Sequence, residues 1–102
     1  MAHDLIYEIA CSFPVLRFKG VARGDIPGIA IDGFDDTKLS DYLYKGHGAA
    51  LSHGEQLILE FLLNLADPYV HTGFNLGIAV NVFDPGNMNN LVKALIRFYN
   101  RD

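Results

Sequence analysis

Apolar residues crowd one stretch of this chain more densely than any other. Leu57, Ile58, Leu59, Phe61, Leu62, Leu63, Leu65 and Ala66 are interrupted only by Glu60 and Asn64. At about 100° per residue, His53, Gln56, Glu60 and Asn64 share a polar arc of roughly 80°, and the apolar side chains cover most of the remaining cylinder. The pattern predicts a helix over 53–66 that needs neighbours on several sides. Ser52 and Glu55 stand at the spacing of a reciprocal cap, in which each side chain accepts a backbone N–H of the other residue. Asp67-Pro68 ends the helix.

A second helix is marked near the C-terminus, over 85–100. Asp84 suits the cap, and Pro85 suits the first helical position, where a missing N–H costs nothing. Met88, Leu91, Val92, Leu95, Ile96 and Tyr99 recur with helical spacing and read as one apolar stripe. A short helix is expected near 36–45, capped by Asp35 or Asp36, carrying Leu39, Tyr42 and Leu43, and stopped by Gly46 in a left-handed conformation.

The N-terminal third reads differently. Residues 5–11 and 13–19 are rich in branched and aromatic side chains, and the second segment alternates Val15, Arg17 and Lys19 with Leu16 and Phe18. Two strands are expected, with Pro14 at an edge or first position because it cannot donate to a ladder. Ile29-Ala30-Ile31 suggests a short third strand. Residues 74–83 are ambiguous: Phe74, Leu76, Ile78, Val80 and Val82 alternate with smaller or polar residues, which favours a strand, and a short buried helix is the competing reading. The expected fold class is α+β: a two- or three-stranded N-terminal antiparallel sheet packed on a central buried helix, with a C-terminal amphipathic helix, all in one domain spanning 1–102.

Charge is concentrated in the middle of the chain. Of the formal −4, residues 25–67 carry eight acids against Lys38 and Lys45, a local balance of −6, and each flank is +1. Such a centre disfavours a nucleic-acid groove, which depends on clustered Lys and Arg. Lys93, Arg97 and Arg101 form a basic line on the last helix, but cations near a helix C-terminus are favourable for structural reasons alone. Half the residues are apolar, slightly rich for this length, so apolar surface is left over for a partner. The single Cys11 lies in an apolar run and reads as a small buried hydrophobe. The N-terminus has no secretory-signal pattern, and no apolar run approaches the ~20 residues that span a bilayer. A soluble cytoplasmic protein without a membrane association is the expectation.

No motif fixes a reaction. Gly20, Gly24 and Gly28 lack the Lys-Ser/Thr ending of a phosphate loop. Asp32, Asp35 and Asp36 lack the alternation and closing Glu of a calcium loop. Ser40 and Ser52 sit in no nucleophile elbow for His47 or His53 to serve. His3, His47, His53 and His71 with Glu55 or Glu60 do not repeat a zinc spacing. No catalytic residue, cofactor or metal ligand is therefore expected. The favoured reading is a non-catalytic protein-interaction module, an adaptor, assembly factor or inhibitor that binds a protein partner or itself as a homodimer. Its candidate partner-binding residues are Phe34, Asp35, Asp36, Asp41, Tyr42 and Tyr44, since tyrosines beside carboxylates are frequent at interaction surfaces. The alternative is a small-ligand or metal-binding protein, or a minor enzyme, with a site near the 46–60 joint around His47, His53 and Glu60.

Overall fold

Proline and a helical repeat, rather than strand alternation, organise the N-terminal segment. The computed structural model describes residues 2–46 and 51–101. Its first two elements are helices, α1 (Ala2–Ser12) and α2 (Pro14–Phe18), where the sequence reading expected two strands. The reason lies in Ile6, Ile9, Ala10 and Phe13, which follow the i, i+3, i+4, i+7 spacing of one helix face and its continuation and are all buried. Pro14 occupies the start of α2, where its fixed φ and missing N–H are tolerated. The alternation in 13–19 does not report a sheet face, since only Leu16 of α2 is buried and Phe18 is 89% exposed.

A 3₁₀ turn (Val21–Arg23) leads into the chain's small sheet, an antiparallel hairpin of β1 (Ile29–Ala30) and β2 (Gly33–Phe34), with Ile29 opposite Phe34 and Ala30 opposite Gly33. The short strand expected at 29–31 is present as β1, and the molecule is broadly α+β but mostly helical. The hairpin packs chiefly on α1 and the 3₁₀ turn. Gly28 enters it at φ +90°, and a Cβ there would lie 2.6 Å from the backbone N of Leu39. Only glycine supplies both the conformation and the clearance. Helix α3 (Asp36–Asp41) follows, capped by Asp35, whose carboxylate accepts from the Lys38 N–H at 3.1 Å. It widens into a single π turn (Tyr42–Gly46), and Gly46 ends that turn without a left-handed φ, contrary to expectation.

Helix α4 (His53–Ala66) is the centre of the fold, as its apolar girth requires. Its reciprocal cap is complete: the Ser52 hydroxyl accepts from the Glu55 N–H at 3.1 Å, and the Ser52 N–H donates to Glu55 Oε1 at 2.7 Å. Leu57, Ile58, Leu59, Phe61, Leu62 and Leu63 are buried, and α1, α3 and α5 pack around them. Phe61 meets Phe13 edge-on, with centroids 6.4 Å apart, and Phe74 at 5.3 Å.

The ambiguous segment resolves against the favoured strand, as α5 (Leu76–Val82). Asn75 caps it, accepting from the Ile78 N–H at 3.0 Å. A strand would have buried the alternating set Leu76, Ile78, Val80 and Val82, yet all four are exposed, and Ala79 from the other set is fully buried. The last helix, α6 (Pro85–Tyr99), starts as expected: Asp84 accepts from the Asn87 N–H at 2.7 Å, and Pro85 fills the first position. Among the described residues, no helix is long and apolar enough to cross a membrane.

Candidate interaction surface

The acidic, tyrosine-bearing stretch singled out in the sequence is divided among internal tasks. Phe34 is only 7% exposed and belongs to the core, so it is not available to a partner as expected. Asp35 caps α3. Asp41 pairs with Lys45 one turn later, at 3.3 Å. Tyr42 packs half-buried against the core. Asp36 and Tyr44 reach instead toward later parts of the chain.

Tyr44 borders a cleft of about 350 Å³ lined also by Ser40, Glu60, His71 and Gly73, and Asp36 bonds to its His71. Helical spacing sets Asp36, Ser40 and Tyr44 four apart along α3 and the π turn. His71 Nε2 lies 2.7 Å from Asp36 Oδ2, and the Tyr44 hydroxyl donates to Glu60 Oε2 at 2.7 Å. The hydrogen bond with His71 lowers the Asp36 carboxyl from its ordinary value, against a smaller opposing effect of desolvation. Burial of the hydroxyl end of Tyr44, reinforced by Glu60, pushes that phenol up to about 12, although much of the residue is exposed. Gly73 passes beneath the pair, where a Cβ would stand 2.9 Å from the hydroxyl. Asn64 Nδ2 donates to the His71 carbonyl at 2.8 Å. Chemically, the cleft fastens the α4–α5 connection to α3 and α4 through groups bonded to one another.

The metal and catalytic alternatives gain no constellation. His47 lies outside the described residues, and His53 is exposed at the start of α4. Among the described residues, no three His, Cys, Asp or Glu side chains converge in a metal-holding group. Ser52 is engaged in its cap. Cys11 is half-buried and lies beside Tyr7, whose phenol it raises through a hydrogen bond. The basic line of α6 is broken up: Arg97 pairs with Glu8 of α1, and Arg101 stacks 4.3 Å from the Phe98 ring centre.

The surface that stands out is apolar and lies after α4. Of thirteen large hydrophobic side chains left exposed among the described residues, ten fall between Tyr69 and Tyr99. Helix α5 commits only Ala79 to the core within its span, leaving Leu76, Ile78, Val80 and Val82 outside. Helix α6 divides the single apolar stripe expected of it into two lines. Leu91 and Ala94 are buried and Phe98 is half-buried, whereas Val92, Leu95, Ile96 and Tyr99 are exposed, Tyr99 to 86%. The signal was available in the spacing. Met88, Leu91, Ala94 and Phe98 pack on the core, and Val92, Leu95, Ile96 and Tyr99 form a second, outer line.

Helix α5 and the first half of α6 occupy an almost uncharged stretch, whereas Leu95, Ile96 and Tyr99 of the second line are interleaved with Lys93 and Arg97. From Pro68 to Val92 the one formally charged residue is Asp84, and asparagines (Asn75, Asn81, Asn87, Asn89 and Asn90) supply much of the polarity. The exposed apolar side chains of α5 and α6 make this region the candidate interaction surface. No family model, curated protein or solved structure matches this chain.

Proposed function

We propose that this protein is a non-catalytic interaction module that engages a protein partner through the apolar residues of α5 and α6. The carrying observation is the exposure of Val92, Leu95, Ile96 and Tyr99 on a helix whose core contacts are made by Met88, Leu91, Ala94 and Phe98. Leaving such residues in water forgoes about 1.5–3 kcal/mol for each large aliphatic side chain fully buried, an incentive that a partner's surface can meet. The acidic Tyr42–Tyr44 region is the less favoured surface, because several of its polar groups are bonded within the chain.

The test is a comparison of two immobilised baits, the wild-type chain and a Val80→Asp, Leu95→Asp variant with the same circular dichroism. A protein retained stoichiometrically by wild type and lost by the variant supports the reading. Identical retention by both sinks the α5–α6 surface.

A second reading, binding of a small ligand, has one observation in its favour. The α3–α4 cleft, at about 350 Å³, is within the size range of small-molecule sites. Its Asp36–His71 and Tyr44–Glu60 pairs already join their strongest polar groups, which makes docking on α5 and α6 the preferred conclusion.

A further inference from the structure

We infer that the occupant of the outer α6 line is a second copy of this chain, docked as an antiparallel α6–α6 pair about a two-fold axis. The inference rests on the reading of α5 and α6 as a docking surface and names the partner. Met88, Val92, Leu95 and Tyr99 are separated by four, three and four residues, the alternating a/d rhythm of a helix–helix seam. Val92, Leu95 and Tyr99 are exposed and have no counterpart within the fold, while Met88, at the start of the same line, is half-buried against the core.

The spacing is also symmetric. An axis passing between Lys93 and Ala94 places Val92 against Leu95 of the other copy, and Met88 against Tyr99, so every seam residue meets a seam residue. This self-complementarity is what an isologous contact demands. The seam from Met88 to Tyr99 is about 16 Å long at 1.5 Å per residue.

Charge permits this occupant at the neutral seam and favours the same direction. Each copy carries a formal −4, and two such molecules meet with least repulsion where they are neutral. The residues flanking the seam are Asn89 and Ile96 on one side and Leu91 and Phe98 on the other, none of them charged. A parallel pairing would bring Arg101 of one copy beside Arg101 of the other at the same end, whereas the antiparallel pairing separates them and opposes the helix dipoles. Val92, Leu95, Ile96 and Tyr99 remain 47%, 43%, 57% and 86% exposed, and a two-fold contact covers this apolar surface on both copies at once.

Sedimentation of the purified chain at roughly 100 µM, where a dimer of micromolar Kd is almost fully formed, tests the stoichiometry. Twice the chain mass is expected, falling to a single chain mass in Leu95→Glu, whose circular dichroism and melting temperature match those of wild type diluted far below the dimer Kd. A monomeric wild type overturns the inference, as does a dimer indifferent to Leu95→Glu; Ile96→Glu serves as the second probe should the first variant unfold. Direction is read in a Cys11→Ser background. A mixture of Met88→Cys and Tyr99→Cys chains should form the mixed disulfide, while cross-linking of Met88→Cys chains to one another in preference would overturn the antiparallel pairing. A monomeric wild type that still loses a different protein on Leu95→Asp fails this inference and leaves the docking surface standing; failure of both experiments removes both.

Discussion

His71 Nε2 and Asp36 Oδ2 are 2.7 Å apart across a separation of thirty-five residues, and this contact ties the loop after α4 to the first turn of α3. The Asp36 side chain keeps about 40% of its exposure, so solvent weakens the pair, and it contributes on the order of 0.5 kcal/mol. Because the hydrogen bond holds the folded-state carboxyl below 3.8, the unfolded chain binds the proton more readily. The contribution is complete above that value and disappears as pH falls through the lower folded one. Melting temperatures of wild type and Asp36→Asn, measured from neutral pH to pH ~2, should therefore converge on the acid side. A constant difference would refute the linkage.

Tyr44 reports the opposite limb. Its phenol is raised from 10.0 to about 12, so the neutral form favours folding fully below pH 10, and the benefit is lost as pH rises through the folded value. In an absorbance titration near 295 nm, Tyr44→Phe should remove a late-titrating phenol. Its loss of the hydrogen bond to Glu60 should cost about 0.5–1 kcal/mol at neutral pH, measured by urea unfolding.

Ser52→Ala should destabilise the fold by about 1 kcal/mol, since one member of the reciprocal cap disappears and an N–H at the start of α4 loses its acceptor. For a domain of this size that corresponds to a fall of roughly 4–8 °C in Tm. Ser52→Asp, which keeps an acceptor, should retain most of the stability.

Phe61→Ala should cost about 3–5 kcal/mol, because the ring is 2% exposed and contacts Phe13 and Phe74 from neighbouring parts of the chain. Denaturant midpoints would register the change directly.

On α5 the contrast between neighbours is the test. Ala79→Leu should destabilise by about 1–3 kcal/mol through overpacking. Val80→Ser, one residue on, should stay within about 0.5 kcal/mol of wild type, as substitutions at a solvated position do. A large loss in Val80→Ser would mean that this side chain supports the fold itself.

The helices with caps were legible in the sequence. Ser52 with Glu55, and Asp84 with Pro85, mark their helix starts by local chemistry, and local chemistry is what a single chain displays. At the N-terminus the branched and aromatic side chains of residues 5–11 and 13–19 favour strand, and they mask the helical spacing of Ile6, Ile9, Ala10 and Phe13. At 74–83 the alternation was real, but it described residues left in solvent. Burial of the small Ala79 depends on what α4 presents to it, a tertiary fact that no periodicity contains. The candidate site followed the same division. The acidic stretch was visible, whereas its bonds to Glu60 and His71 cross sixteen and thirty-five residues. Spare apolar surface was foreseen from composition, but assigning it to one line of α6 required knowing which line the core had already claimed.

Helix α5 enters the core within its span through one small side chain, Ala79, with Phe83 buried just beyond its end. It is short, contains Gly77 and three β-branched residues, and has little intrinsic helicity to fall back on. Its amides should consequently exchange with deuterium well before those of α4, through openings that leave the rest of the molecule intact. Any protein that settles on this helix would slow that exchange, so α5 reports occupancy of the surface as a change in local protection.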